Sequence, residues 1–238
     1  MSTIKSPNIS IAPVELYSSS SSTGEGTDFG AKVTTGDGRA FRWTKAGGSA
    51  LVPGKLQQAA AQDTTNQQNL GVSAAAAGTY TVTVTDSVTL AANALTNGVL
   101  AVTTGSGVGY LYGIASNTAA AASGFTITLS DPIQVALSTT SKIDVIPNVY
   151  SGVIVNPASA SSSPVGVAIS PIASGSYGWI QTEGAANVLA DGAITAGQSV
   201  YASSAVAGAV SSATATSFVG IALEGIADTQ YGLVKLSL

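Results

Sequence analysis

Acid–base chemistry in this chain would fall to four late acidic residues, Glu183, Asp191, Glu224 and Asp228. Glycoside hydrolysis needs two carboxyl groups flanking a cleft. Asp191-Gly192, like Asp37-Gly38, reads instead as a turn. Trp43 and Trp179 are the only tryptophans available to line a sugar cleft. Asp63, Asn66 and Asn69 offer oxygen ligands, but their spacing lacks the alternation of a calcium loop. Gly105-Ser-Gly107-Val-Gly109 is glycine-rich but has no Lys-Ser/Thr after it and leads into a tyrosine-rich strand, so it reads as a turn and not a phosphate cradle. Ser141-Lys142 is an isolated dipeptide. The chain has no His and no Cys, which excludes the Ser-His-Asp and Cys-His nucleophile systems, thiolate metal clusters and disulfides. No enzyme, metal site or cofactor is expected.

The elements that would have to position such groups are strands. Apolar residues alternate with polar ones, as in Thr79-Tyr-Thr-Val-Thr-Val-Thr85 and Phe125-Thr-Ile-Thr-Leu129, which is the period of a half-buried strand. The alanine runs Ala74–Ala77 and Ala119–Ala122 are too short to make stable helices. Lys32-Val33 and Arg39-Ala-Phe-Arg-Trp43 flank Gly36-Asp-Gly38 and predict a β-hairpin. The stretch from Gln57 to Asn69 reads as a polar loop, and the serine- and glycine-rich residues 18–27 as low complexity.

The chain also repeats itself. Val165-Gly-Val-Ala168, Ile172-Ala173 and Tyr177-Gly-Trp-Ile180 return 54 residues later as Val219-Gly-Ile-Ala222, Ile226-Ala227 and Tyr231-Gly-Leu-Val234, with seven identities and no gap. Weaker copies begin at Leu70-Gly71-Val72 and at Gly113-Ile114-Ala115. Each unit reads as a strand, a loop and an aromatic-led return strand, with the glycine allowing close backbone approach. The expected class is all-β: tandem small β-sandwich or β-barrel modules with an extended N-terminal arm and hairpin. The expected division is an arm and basic hairpin over 1–60, a first module over 61–155, a Pro/Ser linker over 156–164 and a C-terminal module over 165–238.

Charged residues make up only 8% of the chain, the net charge is −4, and Ala, Ser, Thr and Gly together exceed half of it. An acidic chain with so few cations is a poor match for nucleic acid, which calls for a basic face. No run approaches the 18 apolar residues of a membrane span, and Met1–Pro7 has no apolar stretch behind Lys5, so signal-peptide export is not expected. A surface this poor in charge is covered either by hydroxyls or by other subunits. The cations are unevenly placed: Lys32, Arg39, Arg42, Lys45 and Lys55 fall within one short stretch, interleaved with Phe41 and Trp43. Cationic and aromatic residues are enriched at protein interfaces. These seven residues are therefore the candidate partner contact, with a solvated hairpin as the alternative.

The stretches Val33–Gly47 and Leu51-Val-Pro-Gly-Lys-Leu56, with Asp131-Pro-Ile-Gln-Val-Ala-Leu137, resemble tailed-bacteriophage virion proteins. Tyr177–Gln181, Ala190-Asp-Gly192, Gly197–Tyr201 and Val219–Ala222 are similar to capsid decoration, or cement, proteins. The resemblance covers residues 28–56 and 125–238, matches least over 86–124, and brings no catalytic residues. It implies a trimeric β protein on the outside of a phage capsid, assembled in the host cytoplasm, with the major capsid protein and its own copies as partners. A head or tail fibre that binds a host surface is the competing expectation, ahead of a surface-layer or adhesin domain and a capsule depolymerase.

Overall fold

The structure is a computed structural model that describes residues 13–21, 28–120, 124–213 and 217–238. Most of the expected N-terminal arm, residues 22–27 of the Ser/Gly tract and the end of the Ala119–Ala122 run lie outside them. A one-turn helix, α1 (Pro13–Leu16), precedes β1 (Lys32–Thr34), β2 (Ala40–Ala46) and β3 (Leu56–Gln58). There follow α2 (Thr64–Gln67), β4 (Leu70–Gly71), β5 (Thr81–Val84), β6 (Val99–Thr104), β7 (Leu111–Asn117), β8 (Phe125–Leu129) and β9 (Lys142–Ile146). The last group is β10 (Ser151–Val155), β11 (Pro164–Ala168), β12 (Tyr177–Leu189), β13 (Ser199–Ala202), β14 (Val210–Ser211), β15 (Phe218–Ala222) and β16 (Tyr231–Ser237). The all-β class is borne out.

The chain forms two compact units: residues 62–149, and residues 1–61 together with 150–238. The division therefore falls at 61/62 and 149/150. The Pro/Ser stretch 156–164 joins β10 to β11, and both of these strands pair with β3 inside one unit. The physical reason is that β3 lies between two strands supplied from about a hundred residues downstream, a pairing that composition does not reveal.

In the 62–149 unit the strands run in the order β4-β9-β6-β7-β8-β5. The Val72↔Val84 bridge joins the two ends and closes the sheet. Leu95, Leu100, Ile114, Ile127, Ile143 and Val145 fill its interior. The two weaker repeat copies are the antiparallel neighbours β4 with β5 and β7 with β8.

The other unit is a doubled barrel. β2, β10, β3, β11 and the first half of β12 form a closed ring of five strands. The second half of β12 begins another ring with β16, β15, β13 and β14, and the Ala190↔Val210 bridge closes it. The two barrels repeat each other's hydrogen bonds. Gly54 N donates to Ala168 O and Gly197 N to Ala222 O, each at 2.8 Å. Gly47 N donates to Val153 O at 2.7 Å and Asp191 N to Val210 O at 2.8 Å. Leu51 bridges Ile172 as Ile194 bridges Ile226.

The repeated glycines explain themselves at these crossings. A Cβ on Gly166 would lie 2.8 Å from Gln181 O, and one on Gly220 would lie 2.1 Å from Lys235 O. The strands are too close there for any side chain. β12 passes from one barrel to the other at Gly184, whose φ of +83° favours glycine. Buried Gln181 braces that bend by donating from Nε2 to Glu183 O at 3.0 Å and Ala185 O at 2.9 Å.

Candidate functional site

The residues that could do chemistry are each engaged structurally. Glu183 pairs with Lys32 at 2.5 Å. Asp191 accepts from Ser203 Oγ, and Asp228 accepts from Gly192 N at 2.7 Å. Glu224 Oε1 accepts from Leu233 N at 2.9 Å. Asp63 caps α2 by accepting from Thr65 N at 3.1 Å and Asn66 N at 3.2 Å, the usual work of an aspartate at a helix start. That cap is why a short helix stands where a polar loop was expected. The Asn66 side chain lowers the Asp63 carboxylate pKa, with the two backbone N–H groups assisting. Asn69 sits in the left-handed region and donates from its backbone to Asp144 Oδ1. Ser141 is fully buried and its Oγ donates to Ser106 O at 2.8 Å. A Cβ on Gly105 would lie 2.7 Å from Ser141 Cα, so the glycine-rich stretch is a tight turn.

The seven candidate contact residues divide by depth. β1 and β2 form the expected hairpin, with Thr34 opposite Ala40. Phe41 is 0% exposed and Trp43 only 8%, because β2 is a barrel strand flanked by β12 and β10 and not a free hairpin arm. Trp43 packs edge-on against Trp179 at 5.1 Å and stacks on Tyr177 at 6.3 Å. Phe29 stacks on the other neighbour of that set, Tyr177, at 6.1 Å.

No two of the five cations share a partner among these contacts. Lys32 pairs with Glu183. Arg39 Nε donates to Asp37 Oδ2 at 2.7 Å. Arg42 Nη1 donates to Gly30 O at 2.7 Å, with its guanidinium 5.5 Å from the Tyr150 ring. Lys45 Nζ lies 5.5 Å over the Tyr177 ring. The Lys55 stem lies against Gly208. Hydrogen bonds from Thr35 and Arg39 lower the Asp37 pKa to about 2. Burial raises the Tyr150 hydroxyl pKa, against the pull of Arg42.

Two surface features escaped the sequence reading. A groove of about 420 Å³ runs between the barrels, lined by Tyr17 and Arg39 on one side and by Asn187 and Tyr231 on the other. The outer face of β15 and β16 exposes Phe218, Ile221, Leu223, Tyr231 and Leu233. The alternation of β16 could have located the second feature, since its odd-numbered residues face outward and three of them are Tyr231, Leu233 and Lys235.

Among the described residues, no group of three or more acidic side chains is placed to hold a metal ion, and no helix is long and apolar enough to cross a membrane. Residues 131–236 match the family of phage cement proteins. The match runs from before β9 into β16 and takes in the second barrel up to Leu236. It bears out the decoration-protein resemblance in the C-terminal half; residues 28–56 lie outside it. No curated protein matches the chain, and no solved structure matches it.

Proposed function

We propose that this chain is a virion structural protein that binds the outer surface of a phage capsid, stabilises the shell by bridging neighbouring capsomers, and acts by binding alone. The observation that carries this reading is the cement-protein match over 131–236, which falls on a continuous run of barrel strands. The partner is the major capsid protein, and the working unit is a homo-oligomer, a trimer on the resemblance. A protein that binds only the assembled shell stabilises it by its own binding free energy. A standard interface buries about 1,600 Å², and many copies multiply that effect over the lattice. Short Ser, Thr, Ala and Val side chains suit such a role because they lose little rotamer entropy when covered. The exposed Lys32 and the half-buried Arg39, Arg42, Lys45 and Lys55 supply the polar part of the contact, with Phe41 and Trp43 holding their strand rigid from beneath. The test is the copy number in purified virions, read from a protein stain against the major capsid protein, with heat release of DNA from shells with and without the chain. Copies in fixed proportion to the capsid protein and a raised release temperature are expected. A few copies at one vertex or along a tail would overturn the reading in favour of an appendage.

A further inference from the structure

The 54-residue repeat lets the outer faces of the two barrels be compared position by position. In the first barrel, Ile169, Tyr177 and Trp179 lie beneath Leu16, Phe29 and Val33 of the chain's own N-terminal region. Their equivalents in the second barrel are Leu223, Tyr231 and Leu233, exposed by 49%, 46% and 43%. Phe218 and Ile221 extend this open face along β15 at 44% and 42%. Five of the fifteen large apolar residues exposed among the described residues therefore sit on two adjacent strands and the residue that follows β15, on a protein with few charges to keep such a patch in water.

The charges on this face flank the Leu223–Leu233 pair. Lys235 stands opposite Ile221 in the β15–β16 register. It makes no ion pair among the described residues. Glu224 lies on the opposite side of Leu223, with one carboxylate oxygen on Leu233 N. Two residues of strand, about 7 Å, separate Leu233 from Lys235. A cation thus stands on one side of the Leu223–Leu233 pair, beside Ile221, and an acid on the other, between that pair and Tyr231. A two-fold rotation about the Leu223–Leu233 pair lays apolar centre on apolar centre and carries each Lys235 toward the Glu224 end of the other copy. Isologous contacts need this kind of self-complementarity.

We propose that the β15–β16 face is a two-fold contact surface that takes a second copy of this chain. The second copy stands where Leu16, Phe29 and Val33 stand in the first barrel and buries Phe218, Ile221, Leu223, Tyr231 and Leu233. The paired Lys235 and Glu224 fix the orientation, since charge complementarity sets register and rejects wrong alignments.

The experiment measures the mass of the full-length chain by sedimentation across a concentration series, for the wild type and for Leu223→Lys/Leu233→Lys. The wild type should sediment at twice the mass of the variant, whatever that smaller unit is, with the fold of the variant checked by Trp43 and Trp179 fluorescence. Leu223→Ser/Leu233→Ser serves the same purpose if the lysine pair fails to fold. Lys235→Glu alone should weaken the association at least about tenfold, and Lys235→Glu with Glu224→Lys should restore it to within about threefold. Equal masses for wild type and variant, or a mass ratio other than two, would overturn the proposal. So would a charge swap that weakens association further instead of restoring it.

Discussion

The two barrels of the larger unit share their strand order, their bridging hydrogen bonds and their crossing glycines, and differ in what lies on the outside. In the first, Tyr177 and Trp179 are 9% and 4% exposed under a cap of N-terminal residues, and a lysine sits over the tyrosine ring. In the second, Tyr231 and Leu233 are open, and the residue paired with Tyr231 is Leu189 where Tyr177 has Lys45. One backbone plan therefore carries an inner face and an outer face at equivalent positions. The difference shows that the repeat specifies the barrel, while the cover is added by sequence outside the repeat.

The comparison breaks most clearly at its central pair. Trp179→Ala should cost about 3–5 kcal/mol of stability, since it empties a buried site, while Leu233→Ala, at the equivalent position, should change stability by less than about 0.5 kcal/mol in dilute solution, where surface sites are near neutral. Chemical denaturation of both variants measures the gap, and equal losses would mean that the faces are not different environments. Next come the glycine crossings. Gly220→Ala and Gly166→Ala should each cost about 1–3 kcal/mol by forcing two strands apart, with Gly220 the more severe because its Cβ would approach a carbonyl oxygen at 2.1 Å against 2.8 Å. Thermal melts of the two single variants give that order directly.

A smaller effect tests the capping lysine. Lys45→Met should cost about 0.5–1 kcal/mol, the usual worth of a cation over an aromatic face, whereas Leu189→Met in the second barrel should be neutral within the error of the same melt. The connections between strands differ as well: β13 reaches β14 through residues 203–209, but β3 reaches β10 through 59–150. Because Gln58 pairs with Ile154, excising residues 62–149 and closing β3 onto β10 with a short turn should leave the doubled barrel folded, with near-native tryptophan emission. An unfolded product would show that the barrel depends on the inserted unit.

The smallest expected effect is at the β1–β2 turn, which has no counterpart in the second barrel. The Asp37 pKa lies at about 2 against its ordinary 3.8, so the folded state holds its proton less tightly than the unfolded chain. The stability this contributes is complete above pH 3.8 and is lost as pH falls toward 2. A carboxyl titration followed by NMR should give a midpoint near 2; a midpoint near 3.8 would mean that the Thr35 and Arg39 hydrogen bonds do not form in solution.

Much of this was legible in the residues. The alternation in Thr81–Val84 and Phe125–Leu129 gave strands, Gly36-Asp-Gly38 gave the β1–β2 turn, and the register of Val165–Ile180 with Val219–Val234 marked two equivalent return hairpins. The contact residues were less legible. Phe41 and Trp43 read as interface aromatics, yet their depth depends on β12 and β10 flanking β2, and no local pattern announces partners more than a hundred residues away. The exposed face of β15 and β16 was hidden for the opposite reason: Leu223 and Leu233 are the residue types expected inside.

Local chemistry alone settled the strand period, the tight crossings at Gly166 and Gly220 and the lack of thiol or imidazole chemistry, because each depends on a residue and its near neighbours. Tertiary structure alone decided that 62–149 is an insertion between two paired strands, and that one barrel's aromatics are roofed while the other's face solvent. Those outcomes depend on which distant segments meet, and a repeat that encodes two equal barrels holds no record of which one the N-terminal residues will cover.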